Sequence, residues 1–456
     1  MTRVRAWLRR TAELQGELAA IAAVDPRWWL LAGGVAVAET FERPEIYLAC
    51  DAEPDADTFM AYRAPPPRDP VRDAIVRARA ARMALRELDG TLPDQPLAVT
   101  IDRASGAARA PSALGVAAFA TPHGCLVGEL DDPHLPARLE AVLAGTRPEP
   151  WHGATPFVCV SLGEDELETA RHGHRRAWTS RGGPWLGLGR AGDLATVSTC
   201  HLIVDGYGHA GVTGRIAELA ADPANRATRG DPAPRLPAVA GAVPLAIAWR
   251  ELTAPTPRVL PLAHALGRIL HRNRQRPEAR FSPTFQIPVA RGAKDDPLRL
   301  RRRVVSATTS LRFDAGEPEP YAVFEARVRG VLAREALAQG LISRLLVAAR
   351  AAPVPLAWKR RSLSAKRPAW LENLAEVIGG RALLSRISHD GASSPVVAVS
   401  SPSRLVTDTD PVGGCVITIV EGRTHAGITV CGSGFAGTPA RAAAILDELL
   451  ATVERR

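Results

Sequence analysis

The amino-acid sequence predicts an α/β (α+β) fold of two lobes, each a mixed sheet flanked by helices, and three observations carry that reading. At 456 residues the chain is longer than one ordinary hydrophobic core accommodates. Short apolar runs of strand length alternate with longer stretches of helical spacing. There is also an internal echo: an apolar strand, a glycine-bearing turn and an amphipathic helix occur near residues 194–220 and again near 426–453.

Composition narrows the function classes. Apolar residues make up 46% and charged residues 23%, ample core material for a globular chain. The net charge of +9, from 57 Lys and Arg against 48 Asp and Glu, favours anionic small molecules or acidic protein partners. No zinc-finger spacing, aromatic-rich motif or basic zipper accompanies it, so nucleic acid is not an expected partner. Cys50, Cys125, Cys159, Cys200, Cys415 and Cys431 lie far apart with no CxxC pair. Most sit in apolar runs, as reduced core thiols do, and neither a disulfide framework nor a metal site is expected.

The start, MTRVRAWLRRTAELQGELAAIAA, sets Val4, Trp7, Leu8, Leu14, Leu18 and Ile21 on one helical face. Charged residues interrupt any signal-peptide core, and WWLLAGGVAVA is too short to span a bilayer. A soluble cytoplasmic protein is expected, with peripheral membrane contact left open by the basic amphipathic start.

Further along, VRDAIVRARAARMALREL reads as a helix, PFVCVSLG as a strand and EDELETARHGHRRA as a charged helical stretch. In PWLGLGRAGDLATVSTCHLIVDG two apolar runs flank the turn-prone RAGD, a hairpin whose second strand delivers His201. After Gly206 the spacing turns helical, with Val212, Ile216, Leu219 and Ala220 on one face. The Pro- and Ala-rich stretch that follows reads as a crossover, partly ordered at VPLAIAW, and divides the chain into lobes over 1–225 and 261–456 joined by 226–260.

The second half offers the strands PTFQIPVA, RVVSATTSLRF, PVVAVSS and CVITIVEG, with long helices across 319–352 and 368–387. In the closing segment Thr438 can cap a helix and Pro439 suits its first turn. Ala442, Ile445, Leu446, Leu449 and Val453 form its buried stripe. Gly432 and Ala436 stand where the first copy has His201 and Asp205. The inference is a duplicated lobe in which only the first copy keeps its ionisable pair.

His201, Asp205 and Gly206 form an H-x-x-x-D-G pattern at a predicted strand end, with an amphipathic helix directly behind it. Here the sequence resembles the thioester-dependent acyltransferase superfamily. That superfamily includes chloramphenicol acetyltransferase, dihydrolipoamide acyltransferases, nonribosomal-peptide condensation domains, wax-ester/diacylglycerol acyltransferases and plant alcohol acyltransferases. The resemblance implies two chloramphenicol-acetyltransferase-like lobes with the active site at their interface. It implies transfer of an acyl group from coenzyme A or a carrier-protein phosphopantetheine to a hydroxyl or amine, with no permanently bound cofactor. An acidic carrier protein is then an expected partner.

The residue types suit that chemistry. An imidazole titrating near pH 6.5 can take the acceptor's proton and return it to the departing thiolate, so His201 is the expected general base. No acyl-enzyme is required. By the resemblance Asp205 is structural, paired with a buried arginine, and Gly206 serves a tight turn. VVAVSSPSR offers Ser400 and Ser401 as oxyanion donors. His209 reads as a solvated residue of the first helical turn or as part of an acceptor channel.

Two basic clusters, RLRRRVV and WKRRSLSAKRPAW, suit the phosphates of coenzyme A or an acidic carrier helix. Arg360, Arg361 and Lys366 of the second are the candidates, with a solvated surface run as the alternative. Cys200 precedes His201 where condensation domains and wax-ester synthases commonly have a second histidine, which weakens those two subfamilies. Two rival readings stand beside the acyltransferase: a free-standing condensation enzyme, and an inactive binding or scaffolding relative. The intact His–Asp pair argues against the latter.

Overall fold

A computed structural model describes residues 57–89, 100–102, 108–109, 114–180, 182–200, 206–227, 233–239, 245–252, 256–272, 283–291, 303–330, 381–388, 395–399, 415–422, 426–432 and 438–454. The first half contains β1 (Asp57–Arg63), α1 (Pro70–Asp89), β2 (Thr100–Asp102), β3 (Ala108–Arg109), β4 (Val116–Thr121) and β5 (Gly124–Glu129). It continues with α2 (Leu135–Leu143), β6 (Val158–Ser161), β7 (Gly182–Pro184), β8 (Leu186–Ala191), β9 (Leu194–Cys200) and α3 (Gly206–Leu219).

Its main sheet runs β1-β9-β8-β6-β4-β5. The β8–β9 hairpin predicted from RAGD turns at Gly192, whose φ of +60° suits glycine. α1 and α3 cover one face: Ala74, Ala78, Ala81, Leu85 and Leu88 of α1 and Val212 and Ile216 of α3 share a core with Phe119, Val160, Leu188 and Val197. Those α1 positions recur every three or four residues, the stripe of a helix lying on a sheet.

The second half contains β10 (Ala246–Leu252), α4 (Val259–Arg272), β11 (Thr284–Arg291), β12 (Arg303–Ser310), the small hairpin β13 (Phe313–Asp314) and β14 (Glu317–Pro318), and β15 (Arg381–Ser388). β16 (Val397–Val399), β17 (Cys415–Glu421), β18 (Ala426–Gly432) and α5 (Pro439–Glu454) complete it. Its sheet runs β10-β18-β17-β15-β11-β12. Pair by pair this repeats the first sheet: antiparallel β1/β9 and β10/β18, antiparallel β9/β8 and β18/β17. The next two pairs in each sheet are parallel and the outermost pair antiparallel. In both halves a helix follows the first strand and another follows the hairpin. The echo in the sequence is therefore a repeat of a whole topology.

α5 begins as its sequence predicts. The Thr438 hydroxyl accepts from the Arg441 amide at 3.2 Å, and Ala442, Ile445, Leu446 and Leu449 are buried with Val453 packed at the edge of the same core.

β16 breaks the symmetry. It arises between β15 and β17 but pairs with β1, at the edge of the first sheet, through Phe59↔Val399, Met60↔Ala398 and Ala61↔Val397. Val397 and Val399, with Val396 just before them, lie in one cluster with Phe59, Ala61 and Leu194 of the first half and Leu245, Ile247, Val416 and Cys431 of the second. Close approach to β18 depends on Gly427, where a Cβ would stand 1.8 Å from the Val396 carbonyl oxygen. Beside it the Ala398 amide donates to the Thr429 hydroxyl at 3.2 Å.

Three sequence expectations need correction. The charged stretch EDELETARHGHRRA is not one continuous helix: it makes one helical turn (Leu167–Ala170) and a 3₁₀ segment (Gly173–Ala177), with Arg171, His172 and His174 fully buried. The helix expected across 368–387 gives way to β15 from Arg381, where pairing with both β11 and β17 overrides the local spacing. The crossover 226–260 contains a full strand, β10, formed by the apolar end of VPLAIAW, and the first residues of α4. Of the helix expected across 319–352, residues 321–330 are helical and the remainder from 331 lies outside the described residues.

Candidate active site

The chain leaves the first sheet at Cys200 and resumes at Gly206, the first residue of α3; His201 and Asp205 lie between them, outside the described residues. Both flanks are well defined. Thr199 stands opposite Thr58 and Cys200 opposite Asp57, and the Cys200 amide donates to the Trp185 carbonyl at 2.9 Å. Cys200, Cys159, Cys415 and Cys431 are buried and Cys125 is half-buried, and none of the five is in a disulfide.

At the other flank, a Cβ on Gly206 would stand 3.0 Å from Cδ1 of Ile387 on β15. A side chain there would press on the second lobe, a reason for glycine beyond the turn itself. Ile387, Ala210, Met60, Ala398 and Val420 then form one cluster joining α3, β1, β15, β16 and β17. The H-x-x-x-D-G segment thus follows Cys200 of the first sheet and ends at Gly206, against β15 of the second.

His209 is fully buried, not a solvated cap residue. Its Nδ1 lies 3.1 Å from the Thr58 hydroxyl and 3.3 Å from that of Thr199, and its Nε2 lies 3.0 Å from the Val197 carbonyl oxygen.

Another strap of chain packs on β8 and β9. The His174 amide donates to the Ser198 hydroxyl at 3.1 Å. A Cβ on Gly187 would lie 2.3 Å from the His174 nitrogen, so only glycine admits the strap. This contact carries Arg171, His172 and His174 into the interior. Further along, Arg176 pairs with buried Asp165; burial raises the Asp165 carboxyl above its usual range, against the opposing pull of the Arg176 guanidinium. Arg171 sits close enough to β18 to act on Cys431: burial pushes that thiol up to about 12, and the guanidinium works against it. Sequence reasoning read this strap only as part of a charged helical stretch, because its packing partners on β8 and β9 lie elsewhere in the chain. The signal was the glycine pattern of GGPWLGLG, which marks close backbone approach.

β16 ends at Val399, one residue before Ser400. Val399 and Ser198 both face Phe59 across the two sides of β1. β16 and β9 therefore run in the same direction, and their ends are about 10 Å apart across β1. Ser400, Ser401, Arg360, Arg361 and Lys366 themselves lie outside the described residues. Among the described residues no cluster of His, Cys, Asp and Glu could hold a metal ion, and no helix is long and apolar enough to cross a membrane.

No family model matches the chain, and no curated protein matches it. Among solved structures it is similar to a variant of the starter condensation domain of rhizomide synthetase, with 12% identity and a TM-score of 0.40 over 92% of this chain and 94% of that one. Another variant of that domain, in complex with C8-CoA and Leu-SNAC, gives 14% identity and a TM-score of 0.42 over 90% of this chain and 92% of that one. The first condensation domain of the CDA synthetase gives 13% identity and a TM-score of 0.38 over 90% and 94% of the two chains.

Proposed function

We propose that this protein transfers an acyl group from a thioester, on coenzyme A or on a carrier-protein phosphopantetheine, to an alcohol or amine. His201 takes the acceptor's proton as its oxygen or nitrogen attacks the thioester carbonyl. The tetrahedral intermediate then collapses, the carbon–sulfur bond breaks, and the proton passes from the imidazole to the departing thiolate. Ser400 or Ser401, on the chain leaving β16, donates to the oxyanion. Arg360, Arg361 and Lys366 receive the donor's phosphates.

Asp205 holds the loop by pairing with a buried arginine, and we assign that role to Arg171. Of the described arginines, Arg171 and Arg77 are buried as whole residues. Arg77 pairs with Asp73 at 2.8 Å; Arg171 belongs to the strap seated on β9, the strand that leads to His201, and acts on the Cys431 thiol of β18.

One observation carries the reading: the motif's two flanks belong to the first half, Cys200 in its sheet and Gly206 at the start of α3, and Gly206 lies against Ile387 of the second. A base so placed can meet substrates entering between the lobes. The test is free-thiol release from a panel of acyl-CoAs and acyl carrier proteins, with wild type and His201→Ala side by side. Loss of the base should lower kcat by roughly 10²–10⁴; equal rates would overturn the assignment. Release from carrier-bound donors alone would favour the condensation-type enzyme. Wild type inert toward every donor would favour an inactive relative.

A further inference from the structure

We infer that His209 is a positioning residue: its buried ring clamps the first turn of α3 to β1 and β9 and so fixes the span of chain that carries His201. The inference rests on the acyl-transfer reading for its catalytic consequence, but its geometry stands apart from it. Thr58, Thr199 and His209 are buried to 2% exposure or less. Thr58 and Thr199 are register partners on β1 and β9, and their hydroxyls lie 2.9 Å apart.

The hydrogen-bond directions are determined by the acceptor. A carbonyl oxygen only accepts, so Nε2 donates to Val197 at 3.0 Å. In the neutral ring Nδ1 then accepts from the nearer hydroxyl, Thr58, while Thr199 donates to Thr58. One ring thereby ties three segments together. It grips β9 directly at Val197, four residues before His201, and through Thr58 at Thr199, while holding the helix three residues after Gly206.

The second lobe supplies the control. Counted from the helix start rather than from the motif, whose spacing to the helix differs by two residues, His209 is the fourth residue of α3 (Gly206–Leu219) and Ala442 the fourth of α5 (Pro439–Glu454). Both are fully buried. Where the preceding turn lacks the imidazole and carboxylate, the helix position has a methyl group instead of the clamp.

The test compares His209→Ala, His209→Gln and the Thr58→Val/Thr199→Val pair with Val212→Ala, which removes fully buried apolar volume from the same helix. Thiol release, thermal melting and amide hydrogen exchange of residues 201–206 are measured in each. Misplacing the base should lower kcat on the order of 10²-fold in His209→Ala, with KM for the donor unchanged. His209→Gln, which keeps an N–H for Val197, should recover part of that loss. Val212→Ala should lower the melting temperature while leaving kcat within about twofold. Exchange at 201–206 should quicken in His209→Ala and not in Val212→Ala. Unchanged kcat in His209→Ala, or an equal kcat loss in Val212→Ala, overturns the inference. Should wild type release no thiol, the acyl-transfer reading fails by itself; exchange at 201–206 then decides the clamp, faster exchange supporting it and unchanged exchange refuting it.

Discussion

The two halves of this molecule share one strand order and differ in what they hang on it. In the first, the hairpin β8–β9 leads through His201 and Asp205 to a helix pinned by His209. In the second, β17–β18 leads through a glycine-rich turn to a helix started by Thr438 and Pro439, devices that serve any helix. The second copy has Gly432 and Ala436 where the first has His201 and Asp205, and its sheet is held by its apolar face, with Ile417, Ile428, Val430, Ile445 and Leu449 in one core. The repeat carries the fold; on the proposed reading a single loop carries the chemistry.

The sharpest way to break this comparison is His201→Ala against core variants of either lobe. The former should lower thiol release by roughly 10²–10⁴ with little effect on melting. Leu85→Ala in α1 and Leu449→Ala in α5, both fully buried, should each cost about 2–5 kcal/mol in denaturant unfolding and leave the remaining folded enzyme active. Next in size is Gly427→Ala. Its methyl group would collide with the Val396 carbonyl, and overpacking of this kind costs about 1–3 kcal/mol. Because the collision sits where β16 joins the lobes, one unfolding transition should become two in calorimetry.

The smallest effect is electrostatic and belongs to the first lobe. Burial raises the Asp73 carboxyl, but the guanidiniums of Arg77 and Arg190 outweigh it and bring it below its ordinary range. A depressed carboxyl contributes stability above its unfolded pKa of about 3.9 and loses it as pH falls through the folded value. Asp73→Asn should therefore lower the melting temperature at neutral pH, with the gap to wild type closing as pH falls below about 4, so that the acid limb of the profile is flatter. An acid limb unchanged by this substitution would show that other carboxylates govern it.

Local patterns were legible in the sequence. The hairpin ending at Cys200, the helix from Gly206 and the capped closing helix follow from period-two and helical spacing with glycine, threonine and proline at the joints. Long-range choices were not. PVVAVSS reads as a strand in either sheet, and nothing local says that it pairs with Phe59 and Met60. The strap at Arg171 through His174 read as part of a charged helical stretch because its partners, Gly187 and Ser198, are distant in sequence. His209 looked like a surface residue because its clamp needs Thr58, 151 positions away.

Strand β16 has a practical consequence for dissection of the protein. The polypeptide passes into its second half, returns to finish the first and goes back again, so cutting at the connector does not release two complete units. A fragment ending at residue 225 would leave the outer backbone groups of β1 facing water, an open template for pairing with other chains. Such a fragment should aggregate, and supplying residues 395–399 in trans should restore it to solution.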